Sequence, residues 1–434
     1  MRCRCDHRPS DSAPPALESK AFKPVAPENA GTLYNPRRDS GHNVKIILYC
    51  QHVLGIGHFF RTLEICRALH RHRVILVSGG PETPAPLPPH VRRVQLPELA
   101  MDHTFQNLRA TGGDSLERTR ENRRAMLEQL LREETPDLFL IELYPLGRKA
   151  FRNELNPILE QIKDGRLPPC RVVCSVRDIL VEKEDQARHE TRAVDTLNRW
   201  FDALLVHADP AVIRLETTFS RMADIRIPVT YTGFVAPPVA PVGDRTALKA
   251  TRGMTPDQVL VVASAGGGAV GYPLLDAVTR AVPHLPEDLP IWVQLFTGPF
   301  MAARDTEQLH QHRDHRVHID RFATDFPAWL GAADLSLSMA GYNTCMNILA
   351  TGVRALVHPF DQNREQGLRA RLLEDRGLLG VLSTDDLNPS RLAERMIQRL
   401  QSPRHDRKCS VDINGAANTA RWIAETMPHE TSIA

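Results

Sequence analysis

No stretch of this chain approaches the ~20 consecutive apolar residues that a membrane-spanning helix needs, so no such helix is expected. Net charge is scant: +2, with no dominant basic tail or stripe, which argues against a nucleic-acid partner. Lysine is rare, eight of the 54 basic residues, a skew that reflects base composition more readily than function. Cysteine is sparse, and only Cys3/Cys5 and Cys170/Cys174 stand close together. Neither pair has C-x-x-C spacing, so a zinc ribbon or redox dithiol is not expected. Single cysteines inside apolar patterns read as reduced, buried thiols of a cytoplasmic protein. The 18 histidines include no H-E-x-x-H, and His310, His312, His315 and His318 lie beside Arg313 and Arg316. That cluster reads as a solvated helix end leading into a strand. No metal set and no cofactor is expected. Residues 1–43 lack periodicity and the apolar core of a signal peptide, and they carry prolines at 9, 14, 15, 24, 27 and 36; disorder is expected there.

What is present is alternation. The 434 residues exceed one ordinary core, and from residue 44 apolar runs alternate with amphipathic stretches. That is the pattern of an α/β protein with parallel sheets. VKIILYC (44–50), RVILVSG (73–79), VRRVQLP (91–97), DLFLIEL (137–143), CRVVCSV (170–176) and ALLVHA (203–208) read as strands, and RIPVTYTG (226–233) as the last element of this half. The charged stretch 115–134 reads as a long helix ending at Pro136. FVAPPVAPVGD (234–244) reads as a stiff linker, after which QVLVVASAGGG (258–268) restarts the alternation. IWVQLFTG, VHIDRF, LSLSMAG and RALVHPF follow as strands, and 414–427 as a last helix. The expected organisation is a disordered extension (1–43), a first Rossmann-like domain (44–235) and a second Rossmann-like domain (236–410). A terminal helix and tail (411–434) would pack back on the first domain. Two doubly wound domains imply a cleft, with ligands beyond the carboxyl ends of strands.

Three strand-to-helix junctions there could carry chemistry. The first is GIGHFFR, where Gly55 and Gly57 let the backbone turn and present His58 and Arg61. Phe60 occupies the third glycine position of a dinucleotide fingerprint, and no P-loop lysine follows. His58 suits a general base for a hydroxyl; a histidine capping the helix with a solvated Arg61 explains the spacing equally well. The second is SAGGGAVG (264–271), where Gly266, Gly267 and Gly268 would offer amides, and Ser264 a hydroxyl, to phosphate oxygens. The third is 339–366. There Gly341, Asn343 and Thr344 sit at a helix start, and Asp361, Gln362 and Gln366 follow the next strand as partners for sugar hydroxyls. Glu142, Arg148, Arg177 and Asp178 follow apolar strands of the first domain and, with Gly57 and Arg61, would line the acceptor side. For Arg177 and Asp178 a local, structural ion pair competes with that role.

The segment 334–383 resembles the C-terminal domain of family 28 glycosyltransferases. That family adopts the GT-B fold and includes the enzyme that adds N-acetylglucosamine to the lipid-linked peptidoglycan precursor. The shared features are a strand, (S/A)-G-x-x-T, a helix, a small-Gly turn and P-F-x-x-x-x-x-Q. The resemblance implies diphosphate contacts from Gly341 and Thr344, sugar contacts from Asp361, Gln362 and Gln366, and a His58 facing the sugar and acceptor. Asn347 stands where the family usually has a glutamate for the ribose hydroxyls, and an amide bonds a diol more weakly than a carboxylate. A closer resemblance is to predicted bacterial glycosyltransferases that carry G-x-G-H-x-x-R, a Y/F-P-x-G-R-x-x-F-x-x-E-L segment, R-D-I-L and a triple glycine. Here these are residues 55–61, YPLGRKAFRNEL (144–155), VRDIL (176–180) and SAGGG, in order over roughly 44–425.

The resemblance implies an inverting, metal-independent transferase with a nucleotide-sugar donor, UDP-linked, and a glycan, lipid-linked or small-molecule acceptor. No D-x-D pair in a suitable loop is visible, and Asp385-Asp386 reads as a helix cap. A nucleotide-sugar hydrolase and a degenerate nucleotide-sugar-binding protein are the alternatives. A peripheral contact with anionic lipid along 118–132, at the inner face of the membrane, competes with a solvated helix face there.

Overall fold

The computed structural model describes residues 43–427 except 53–56, 81–84, 102–107, 182–184, 239–244, 269, 361–363 and 405–410. All but Asn43 of the extension expected to be disordered (1–43), residues 239–244 of the expected linker, and Gly55, Asp361 and Gln362 among the candidate site residues lie outside the described residues. Most runs that read as strands are strands, and central ones such as Leu138–Glu142 and Ala203–His207 are almost wholly apolar, as a strand covered by helices on both sides must be.

In the first lobe these are β1 (Lys45–Tyr49), β2 (Arg73–Ser78) and β3 (Val91–Gln95), then β6 (Leu138–Glu142), β7 (Arg171–Arg177), β8 (Ala203–His207) and β9 (Val229–Tyr231). A separate antiparallel pair, β4 (Leu99–Met101) and β5 (Leu108–Ala110), lies between β3 and β6 in the chain. The seven form one parallel sheet in the order β3-β2-β1-β6-β7-β8-β9. All five residues of β6 and of β8 are buried. The helices are α1 (Gly57–Ala68), α2 (Leu116–Glu134), α3 (Arg152–Lys163) and α4 (Gln186–Trp200). Ser115 caps α2 by accepting from the Arg118 amide, and Thr135 ends it in the left-handed region (φ 42°) just before Pro136.

The second lobe holds α5 (Arg245–Thr251), α6 (Tyr272–Ala281), α7 (Ala303–His312), α8 (Phe326–Ala332), α9 (Tyr342–Thr351), α10 (Arg364–Glu374) and α11 (Pro389–Gln401). They flank a sheet of β10 (Val259–Ser264), β11 (Ile291–Phe296), β12 (Val317–Asp320), β13 (Leu335–Met339), β14 (Arg354–His358) and β15 (Gly380–Val381). Its order is β12-β11-β10-β13-β14-β15, and every pairing is parallel. His318, one of the clustered histidines, stacks on Trp292 at 3.5 Å between ring centres.

The crossing between lobes is more than a linker. Phe234, Val235 and Ala236 are buried, and Val235 forms a bridge with Asn414 ahead of the last helix, α12 (Gly415–Thr426). α12 returns to the first lobe, where Ile423 joins the cluster of Phe59, Leu63 and Val74. The proline-rich composition of 234–244 hides this, because its first three residues are apolar and sit inside the core.

Candidate functional site

Each sheet has one place where chain connections depart in opposite directions, and ligands bind α/β sheets at such switch points. In the first sheet it lies between β1 and β6, in the second between β10 and β13. The candidate residues gather at these two points.

At the first, β1 feeds the start of α1 and β6 ends on Glu142. Glu142 is 2% exposed; its Oε1 lies 2.7 Å from His58 Nδ1 and also accepts from Arg61 Nη2. An ionised carboxylate only accepts, so the Nδ1 proton is held on Glu142 and Nε2 is the free, basic nitrogen. Burial, reinforced by Arg148 and Arg177 and opposed by Glu142, pulls the His58 imidazolium down to about 3. The ring is therefore neutral at pH 7. Burial alone would raise the Glu142 carboxyl, but His58 and Arg61 outweigh it and hold the group well below the usual carboxylate range.

Three residues expected to face an acceptor have partners inside the protein. Arg61, 3% exposed, is engaged with Glu142, and its guanidinium lies 5.7 Å from the centre of the Tyr342 ring. Asp178, fully buried, makes a bidentate pair with Arg369 of α10 at 2.6 and 2.9 Å. Arg177 pairs with Glu365, also on α10. Arg177 and Asp178 thus form ion pairs across the lobes rather than with each other. Arg369 lies 5.3 Å from the Tyr342 ring centre, so one aromatic ring has two paired arginines against it. The Tyr342 hydroxyl accepts from the Val235 amide at 2.9 Å. Asn343 Nδ2 donates to Gly57 O at 2.9 Å, which sets the start of α9 beside the residue preceding His58.

Arg148 differs. It follows β6 in a left-handed conformation (φ 54°), is half-buried, and its Nε and Nη2 are shut off from solvent with no hydrogen-bond partner.

At the second switch point Ser264 ends β10 beside Ser338 of β13. The Ser264 hydroxyl accepts from the Gly266 amide at 3.1 Å, and the Gly268 amide donates to Ala265 O. Of the three glycine amides, that of Gly267 has no acceptor among the described residues. A Cβ on Gly268 would meet Thr297 O at 2.4 Å, so close backbone packing explains that glycine without a ligand; at Gly267 the nearest atom is a Phe300 carbon at 3.6 Å. After β13, Gly341 caps α9, with Asn343, Thr344 and Asn347 partly exposed on its first two turns. The amides of this first turn have no intrahelical acceptor and favour negative charge. The Gln366 side chain accepts from the Phe360 amide, holding the end of the β14–α10 connection.

Sequence reasoning missed Tyr342, Glu365 and Arg369. Tyr342 sits inside the G-x-x-T stretch without any signal of its own. Glu365 and Arg369 could have been sought as the charge complement, one helical turn apart, of the adjacent Arg177 and Asp178.

Residues 262–427 match the glycosyltransferase family 28 C-terminal domain. The second lobe is family-28-like, and the chain has the GT-B fold. Over 165 residues it is 25% identical to the UDP-N-acetylglucosamine–N-acetylmuramyl-(pentapeptide) pyrophosphoryl-undecaprenol N-acetylglucosamine transferase of Natranaerobius thermophilus, covering 37% of this chain and 43% of that one. The chain thus spans less than half the length of the curated relatives it matches. The crystal structure of CalG4, the calicheamicin glycosyltransferase, is 17% identical, covers 88% of this chain and 98% of its own, and superposes with a TM-score of 0.56. The UDP-GlcNAc 2-epimerase of Methanocaldococcus jannaschii is 11% identical over 88% of this chain and 99% of its own, with a TM-score of 0.54. At such identities these two speak for the fold alone.

Proposed function

We propose that the protein is a glycosyltransferase that moves a sugar from a UDP-linked donor to a hydroxyl acceptor with inversion at the anomeric carbon. The observation that carries this reading is the His58–Glu142 pair at the first switch point, one hydrogen bond away from the start of α9 at the second. His58 Nε2 takes the proton of the acceptor hydroxyl as its oxygen attacks the anomeric carbon. The bond from that carbon to the β-phosphate oxygen breaks on the opposite face. The new imidazolium is stabilised by Glu142, and the bound diphosphate adds negative charge that raises the ring's affinity for the proton. Charge growing on the leaving diphosphate meets the first-turn amides of α9, the Thr344 hydroxyl and the Gly267 amide. The step as written needs no metal ion. Asn347 would face the nucleotide ribose, and Asp361, Gln362 and Gln366 the donor sugar.

The test is UDP release from UDP-sugars with and without a panel of hydroxyl acceptors, with the anomeric configuration of the product read by NMR. Acceptor-dependent release and an inverted product are expected. Equal release in water alone would assign hydrolysis instead, and a retained configuration would remove His58 from the attacking side.

A further inference from the structure

The imidazole of His58 is held through a single oxygen. His58 Nδ1 and Arg61 Nη2 both bond to Glu142 Oε1, while Oε2 is buried with no hydrogen-bond partner among the described residues. A carboxylate gripped at one oxygen can still turn about its last torsion, so the orientation of Arg61 decides whether Oε1 stays on the ring. Arg61 is less firmly fixed by hydrogen bonds than its counterpart on α10. Arg369 is bound to Asp178 through both Nε and Nη2 at 2.6 and 2.9 Å, whereas Arg61 Nε is buried with no acceptor among the described residues. Besides Glu142, the Arg61 guanidinium meets the ring of Tyr342, whose centre lies 5.7 Å from Cζ. That ring has little freedom of its own. Its hydroxyl accepts from the Val235 amide at 2.9 Å and lies 3.4 Å from His207 O, and Phe234 packs at 6.3 Å between ring centres. Tyr342 is also the first residue of α9, between Gly341 and Asn343, in the turn proposed to receive the donor's diphosphate.

We propose that Tyr342 is a positioning residue: its ring orients Arg61 and so keeps the Glu142 carboxylate on His58 Nδ1, from within the turn that receives the donor. This role deepens the transferase reading and rests on it. A guanidinium over an aromatic face gains most where water is excluded, and Arg61 is 3% exposed. With Oε1 in place the proton stays on Nδ1, and Nε2 keeps the lone pair that takes the acceptor's proton. With Oε1 displaced either nitrogen can carry the proton, and a ring protonated on Nε2 is no base at that atom. Because the ring and the donor-facing amides share the first turn of α9, one side chain keeps that turn and the base in register.

The test compares Tyr342→Leu and Tyr342→Phe in the full chain by turnover of a UDP-sugar, by calorimetry with UDP and by NMR of isotope-labelled histidine. The His58 signals are assigned by their absence in His58→Gln. Tyr342→Leu should lower kcat about ten-fold, the scale of a desolvated cation–aromatic contact, with KM and UDP affinity within about two-fold. Its His58 ring should pass from the Nδ1-protonated tautomer of wild type to a mixture. Tyr342→Phe, which keeps the ring, should restore most of the rate. Arg61→Lys should cost rate in wild type and little further in Tyr342→Leu, because both changes break the same chain of contacts. If Tyr342→Leu does not fold, Tyr342→Met fills the space with a flexible apolar side chain and carries the same expectations. An unchanged kcat or an unchanged tautomer in Tyr342→Leu, or a loss of equal size in Tyr342→Phe, overturns the proposal. So do fully additive losses with Arg61→Lys, or a loss confined to UDP affinity, which would assign the ring to the donor. If wild type turns over no UDP-sugar the transferase reading fails instead, and the His58 tautomer in Tyr342→Leu still decides the role of Tyr342.

Discussion

The two switch points solve different problems with different materials. The first is crowded with ionisable groups: His58, Glu142 and Arg61 bonded together, Arg148 acting on Glu142 and His58 by its charge without a hydrogen bond among the described residues, and the Arg177 and Asp178 pairs reaching across to α10. The second is built from Ser264, glycines, Asn343, Thr344 and Asn347, with no ionisable side chain among them. Moving a proton requires a group whose protonation state is set by its neighbours. Holding a diphosphate requires only fixed dipoles, and a neutral cradle releases its anion more readily than a fully paired salt bridge would. On the proposed reading, the same architectural position supports chemistry in one lobe and grip in the other.

That contrast can be broken by mutation. His58→Ala should lower kcat/KM roughly 100- to 10,000-fold, the range of a lost general base, while UDP affinity stays within about two-fold. A variant that turns over within a few-fold of wild type would remove His58 from the chemistry. Asp178→Ala strands the Arg369 guanidinium, which is 2% exposed, without its partner. A loss of about 3–5 kcal/mol in urea unfolding is expected, as for other broken buried pairs. An unchanged midpoint would show that the lobes do not depend on this tie. In the second lobe Thr344→Ala removes one hydroxyl to a charged oxygen, so UDP should bind roughly ten-fold more weakly with stability almost unaltered.

The smallest effect sharpens the comparison through pH. His58 and His207 are both lowered from 6.5 to about 3, by burial first. His207 is fully buried between the Ser175 and Thr232 hydroxyls. Between these values the unfolded chain binds protons that the folded chain does not. Stability is therefore fully present above about pH 6.5 and falls as pH drops toward 3. kcat/KM should stay flat from about pH 5 to 8, because the free base is already unprotonated. An acid limb centred near 6.5 would mean that the imidazole titrates as it does in water.

Much of this was readable from residue order alone, and the reasons are local. A parallel strand covered on both faces must be largely apolar, so LFLI (138–141) and ALLV (203–206) declare themselves. Glycines at turns mark where strands hand over to helices, which led to His58, the 264–268 loop and Gly341. Pairings across long separations left no such mark. Glu142 lies 84 residues from His58, and Asp178 lies 191 from Arg369; in a chain with 52 acidic and 54 basic residues, opposite charges suggest too many partners. Sequence could place Glu142, Arg61 and Asp178 near the cleft but not tell that their charges are spent inside the protein. Gly268 shows the converse: its place in a triple glycine suggests a ligand, while its packing against Thr297 suffices to explain it.

The most direct measurement is a crystal structure of the protein with UDP bound. The account predicts the diphosphate at the start of α9, within hydrogen-bond distance of the Thr344 hydroxyl and the Asn343 and Thr344 amides, with His58 Nε2 facing the terminal phosphate across the gap. A nucleotide seated away from α9, or a His58 ring with no line of approach to that phosphate, would contradict it.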